Sequence, residues 1–145
     1  MQKMKSGLMM FCLTVLLSCA ALMMNTPTAS AMTLQDLAGN YRIVRGAGPN
    51  TDSARGSIVT FADEYGDMVC RMTKPSQTCQ FDIGDVIATN IFIDNGYVHC
   101  TVNTAPYDSH SLFIQVYDNG ATLRFVGEKN GRIDPSDFWW EFHRV

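Results

Sequence analysis

From Met32 onward, apolar and polar residues alternate in short runs divided by turn residues, the pattern of half-buried strands rather than of helices. The runs are Tyr41–Arg45, Ser57–Ala62, Asp67–Met72, Thr78–Ile83, Val86–Asp94, Tyr97–Asn103, Ser111–Asp118, Ala121–Glu128 and Phe138–Val145. Only Thr33-Leu34-Gln35-Asp36-Leu37 suggests a helix, one turn long with Thr33 as its cap. Short strands at this spacing predict an all-β fold. The expected form is a small antiparallel up-and-down barrel of eight or nine strands, with a β-sandwich as the alternative.

Two hairpins can be read to the residue. Asp94-Asn95-Gly96-Tyr97 and Asp118-Asn119-Gly120-Ala121 each place Asn-Gly at the centre of a tight turn, where positive φ angles are tolerated. Around the first, Ile93 should face Val98, Phe92 face His99 and Ile91 face Cys100. Around the second, Val116 should face Leu123, Gln115 face Arg124 and Ile114 face Phe125. Because side chains alternate between faces, the core should collect Ile91, Ile93, Val98, Cys100, Val102, Leu112, Ile114, Val116, Leu123, Phe125, Phe138, Trp140 and Phe142.

The opposite face is unexpectedly apolar. Phe92, Phe113, Tyr117, Val126 and Trp139 fall there, beside His99, Gln115, Arg124, Glu141 and His143. Either other segments cover these residues, or the face binds a partner, including a second copy in a homodimer. The candidate ligand- or partner-binding residues are Tyr41, Phe92, Phe113, Tyr117, Arg124 and Trp139.

Residues 1–31 have the order of an export signal: Lys3 and Lys5, an apolar run from Leu8 to Met24, then Pro27 and the small residues Ala29-Ser30-Ala31. Cleavage after Ala31 would leave one domain, residues 32–145, secreted or periplasmic. Leu16-Leu17-Ser18-Cys19 offers a second processing site, where acylation of Cys19 would make an outer-membrane or cell-surface lipoprotein. The apolar run is also about long enough to serve as an uncleaved anchor. No later stretch approaches its length, so no membrane span is expected in the mature form.

Losing Lys3 and Lys5 makes the mature domain more acidic than the formal −3 of the whole chain. The remaining basic residues are scattered singly, which argues against nucleic acid as a partner. Of the five cysteines, Cys12 and Cys19 lie in the leader. Cys70 and Cys79 flank the turn-like Lys74-Pro75-Ser76, so a Cys70–Cys79 disulfide is expected, with Cys79–Cys100 as the alternative and the leftover thiol a buried hydrophobe.

Catalytic and metal chemistry find little support. Asp108-Ser109-His110-Ser111 has the residue types of a nucleophile relay, but sequence neighbours rarely align as one. His99 and Cys100 point to opposite faces and cannot chelate together. Glu141 and His143 share a face, and with His99 could hold a cation only if strand order gathered them. No calcium loop, phosphate-cradling glycine loop or paired CxxC occurs, so no metal or cofactor is expected and the chain does not read as an enzyme. Gly46–Gly56 is a flexible loop suited to a lid or contact role.

Leu37-Ala38-Gly39-Asn40-Tyr41-Arg42-Ile43-Val44 resembles the opening of small lipocalin-like (calycin-type) barrels, where Leu-x-Gly-x-aromatic leads into strand one. The Trp139–Val145 ending resembles their closing strand, with an aromatic and a late basic residue. Tyr41 stands where lipocalins usually carry Trp. The resemblance implies a barrel that binds a ligand or a protein. The leading functional expectation is therefore an exported binding module for a small apolar ligand or a protein partner, an inhibitor among the possibilities. A structural envelope lipoprotein and a small barrel enzyme are the alternatives.

Overall fold

The computed structural model describes residues 32–103 and 109–145. The expected signal peptide (1–31), Cys19 and the Asp108 end of the polar turn lie outside the described residues. The strands are β1 (Gly39–Ala47), β2 (Ile58–Glu64), β3 (Asp67–Lys74), β4 (Val86–Asp94), β5 (Tyr97–Asn103), β6 (Ser109–Tyr117), β7 (Thr122–Lys129), β8 (Arg132–Ile133) and β9 (Trp139–Arg144). Each of β1 to β7 pairs antiparallel with the next, and β9 lies between β7 and β1. The result is a closed eight-strand barrel, with β8 an extra strand attached to β7 alone. Closure excludes the sandwich.

Both expected Asn-Gly hairpins form with the registers read from the sequence. Ile93 pairs with Val98 and Phe92 with His99; Val116 pairs with Leu123, Gln115 with Arg124 and Ile114 with Phe125. Asn95 and Gly96 take φ of 49° and 78°, as that turn demands. At the second corner Asp118 is also left-handed, at 52°, and the turn spans 118–121. The expected Ile91–Cys100 pairing falls in a bulge between Thr89 and Phe92, where Asn90 is left-handed. Tyr65 occupies the β2–β3 corner at φ 57°, a conformation that costs a side-chain-bearing residue about 1 kcal/mol.

A predicted strand and a predicted disulfide fail. Thr78–Ile83 is not a strand, because residues 75–85 form a loop that turns at Ser76–Cys79 and Asp82–Asp85 and sends Phe81 into the core. With no hairpin at Lys74-Pro75-Ser76, Cys70 faces Phe61 and Ala88 across the ladders, and Cys79 lies beyond the end of β3. Cys70, Cys79 and Cys100 are accordingly free thiols rather than a Cys70–Cys79 disulfide.

Side chains fill the barrel. Trp140, Tyr41, Phe61, Phe125, Phe142 and Leu37 are the largest that are fully buried, each contributing about 1.5–3 kcal/mol through burial. The rings form a column running Tyr41, Phe61, Phe125, Phe142, Trp140, edge to face up to Phe142 and tilted at Trp140, with neighbouring centroids 4.5–6.3 Å apart and Phe81 packed edge-on to Trp140 at 6.4 Å. Val116 and Phe138 pack against this core from partly buried positions, while Ile93, expected inside, is 37% exposed at the strand end.

Hydrogen bonds fasten segments across both ends. At one, the short helix α1 (Thr51–Ala54) sets Thr51 Oγ1 2.9 Å from Trp140 Nε1, which donates to it, and the same hydroxyl donates to Gly48 O. Ser76 and Thr78 donate their hydroxyls to Ser53 O, tying the 75–85 loop to α1. At the other, a 3₁₀ turn (Leu34–Leu37) caps the barrel with Leu37. Asp36 accepts from the Thr33 amide at 2.7 Å, confirming Thr33 as the cap. Arg144 then binds the end together: its guanidinium donates to Ala38 O, Asp36 O, Gly120 O and the Tyr41 hydroxyl, and lies 4.7 Å from the Tyr41 ring centre.

Replacing Thr51 with valine keeps the shape but strands the buried indole N–H of Trp140. Thermal unfolding of Thr51→Val should show a loss of about 1–3 kcal/mol; an unchanged midpoint would mean that the α1 cap does not hold this end.

Candidate functional site

Strand registers align the outward side chains in rows. The first runs Phe92, His99, Phe113, Val126, Trp139, Ala47 across β4, β5, β6, β7, β9 and β1. The second runs Gln115, Arg124, Glu141, Arg45, and the third Tyr117, Thr122, His143, Arg42. Five of the six expected site residues, Phe92, Phe113, Tyr117, Arg124 and Trp139, therefore fall on one continuous band of outer wall. Tyr41 does not. It faces the core, fully buried, donating its hydroxyl to Leu37 O at 2.9 Å, and burial pushes its phenol upward against the pull of Arg144. A Tyr leading into an eight-strand barrel is a packing residue here, not a surface one.

The band has two parts. In the aromatic part Phe92 stacks on His99 (4.9 Å, 8° between planes), and His99 meets Phe113 at 4.8 Å. Tyr97, outside the expected set, packs edge-on to Phe113. Phe113 and Val126 are only 4% and 1% exposed, so neighbouring side chains cover part of the face, as the plainer sequence reading anticipated. The tip of the β7–β8 hairpin contributes Gly131, Arg132 and Ile133 to a cleft of about 470 Å³ over Tyr97, His99 and Phe113. Phe92 stays half exposed.

In the charged part Glu141 is the anchor, 5% exposed although ionised. Arg45 grips it through Nε and one terminal nitrogen at 3.1 Å each, Arg124 at 2.7 Å, and His143 Nε2 lies 3.0 Å away. Burial pushes this carboxyl up, but the hydrogen bonds from Arg45, Arg124 and His143 outweigh it and hold its pKa at about 2. The guanidinium of Arg124 also stacks 4.9 Å from Trp139 and 5.8 Å from Tyr117, while Arg45 lies 6.0 Å over the other reach of Trp139. Trp139, Arg124, Tyr117 and Arg45 thus form one cluster of rings and guanidiniums with Glu141 beneath.

Strand order does not gather His99 with Glu141 and His143: β6 and β7 intervene between β5 and β9. Among the described residues no group of three His, Cys, Asp or Glu side chains is placed to hold a metal. Burial raises the thiols of Cys70 and Cys100 above the usual range, which leaves them protonated and poor nucleophiles. A second cleft, also about 470 Å³, opens at the barrel mouth where β6 and β7 part beyond Leu112 and Gly127. Val102, Leu112 and Phe138 form its apolar floor, rimmed by His110, Glu128, Lys129, Asp134 and Asp137.

The sequence did not single out Arg45 or Tyr97. Arg45 reaches the band only because a bulge at Val44 shifts the β1–β9 register, which alternation alone cannot foresee.

Glu141 gives the band a pH signature. A carboxyl depressed on folding stabilises the native state above its ordinary value of 4.5, and that contribution fades as pH falls towards about 2. Acid unfolding of the wild type should therefore steepen through this window, and Glu141→Gln should flatten that limb while losing about 1–3 kcal/mol near neutrality. An identical acid limb in both proteins would show that Glu141 is not so held. Among known proteins, no family model, curated protein or solved structure matches this chain, so the band must be interpreted from its own residues.

Proposed function

We propose that this chain is an exported, non-catalytic binding barrel that recognises a protein through the band on its outer wall. The observation that carries the reading is the contrast between the two faces. The interior is packed with its own aromatic side chains, whereas Phe92, Tyr97, Tyr117, Trp139, Arg45 and Arg124 lie outward across adjacent strands. Tyr, Trp and Arg are the residues that most often anchor protein interfaces, because they bring large contact area with a polar handle. The Glu141 network supports the role by fixing the two guanidiniums against Trp139 before any partner arrives, which lowers the ordering cost of association.

Non-catalysis is supported by what the reactive groups are doing. Glu141 is saturated by three donors, His99 is sandwiched by rings, and the Cys70 and Cys100 thiols are buried. Export is supported by the leader pattern of residues 1–31. A second reading, a small apolar ligand, is favoured only by the mouth cleft over Val102, Leu112 and Phe138.

Affinity capture from the native host, paired with native mass spectrometry, separates the two. Wild type should retain a stoichiometric protein that Trp139→Ala loses, and its N-terminus should begin at Met32. A small apolar molecule held one per chain, insensitive to Trp139→Ala, would overturn the protein-docking reading.

A further inference from the structure

The charged part of the band carries a net positive charge on an acidic protein. Arg45 and Arg124 grip the carboxylate of Glu141, and Arg42 lies one row away, opposite His143. Arg42 is exposed and has no hydrogen-bond or ion-pair partner among the described residues. What meets such a surface must bring carboxylates and a ring for the guanidiniums.

The same chain displays that combination elsewhere. Tyr65, at the β2–β3 corner, is 106% exposed and held at φ 57°, a conformation usually given to Asn or Gly. The corner itself requires positive φ at both 65 and 66, but Asn would meet that requirement at less cost, and the exposed tyrosine ring adds nothing to the core. Asp63 and Asp67, both exposed, flank it, and Asp63 Oδ1 accepts from the Gly66 amide, holding the tip rigid. Glu64 is neutralised by Arg71. An aromatic residue between two carboxylates is thus the charge complement of the Arg42–Arg45–Trp139–Arg124 surface, offering anions to the guanidiniums and a ring to stack on them.

We propose that this protein self-associates head to tail, the Tyr65 tip of one copy seated on the arginine and tryptophan surface of the next. The proposal rests on the reading of the band as a protein-docking surface and names a second copy of this chain as its occupant. Tip and band are different surfaces, so the contact is heterologous. It propagates along a row of copies unless the rotation between neighbours closes a ring. Ion pairing between exposed groups also makes it salt-sensitive.

Sedimentation velocity on the purified protein tests this. Wild type should form larger species at low ionic strength that dissociate as salt is added. Tyr65→Asn should weaken association about tenfold or more while leaving the thermal midpoint unchanged or higher, since Asn accepts the left-handed corner. Arg42→Glu and Asp67→Lys should each stay monomeric alone and associate when mixed, because each supplies the surface the other has lost. A wild type that is monomeric at high concentration in low salt overturns the proposal. So does a Tyr65→Asn variant that associates like wild type, or a charge-variant mixture that stays monomeric. Failure here with Trp139-dependent capture of another protein intact would sink self-assembly alone; loss of both would sink the docking reading as well.

Discussion

The final strand is the constraint on which the rest of this barrel depends. β9 pairs with β1 on one side and β7 on the other, so the wall closes only when residues 139–144 are in place. Its inward residues, Trp140 and Phe142, sit in the aromatic column. Its outward residues, Trp139, Glu141 and His143, centre the surface band, and Arg144 ties off the end. Gly46 of β1 lies directly against β9, where a Cβ would collide with the Trp139 carbonyl and the Trp140 ring. One six-residue strand therefore specifies closure, core and site together. Joining the two ends of the domain is also the costliest loop to close, which places this barrel among the slower-folding topologies.

Interior and exterior solve opposite problems with similar residues. Inside, rings pack edge to face and the one indole N–H that cannot reach water is given to Thr51. Outside, rings and guanidiniums are stacked but stay partly wet, and a carboxylate that would be costly to bury alone is held by donors on both neighbouring strands. The centre of the barrel is consequently occupied by its own rings. The outside has an ordered arrangement with unused faces: the outer edge of Trp139, the exposed half of Phe92 and the exposed head of Arg42.

Most of the fold was legible because strand alternation and Asn-Gly corners are local signals. Ile114, Phe125 and Trp140 turn inward as alternation requires. The misses have local causes too. Thr78–Ile83 alternates like a strand, yet Pro75 and Gly84 bound it, and its backbone turns at both ends while Phe81 is buried in the core. The short β8 follows Asn130-Gly131, a third corner of the same type, overlooked because its flanks, Glu128-Lys129 and Arg132-Ile133, lack an apolar rhythm. The Cys70–Cys79 expectation fell with the hairpin that it assumed.

By itself the sequence determined the all-β class, the pairing beside the two Asn-Gly corners and which face of most strands would be apolar, since these follow from the two-residue period of the backbone and the φ angles Asn and Gly accept. Tertiary structure alone decided how the wall closed, with β9 between β7 and β1. That choice buried Tyr41, separated His99 from His143, and brought Arg45 from the far end of the chain to the carboxylate of Glu141. Contacts between residues almost a hundred positions apart arise from closure of the whole wall, and no local pattern encodes them.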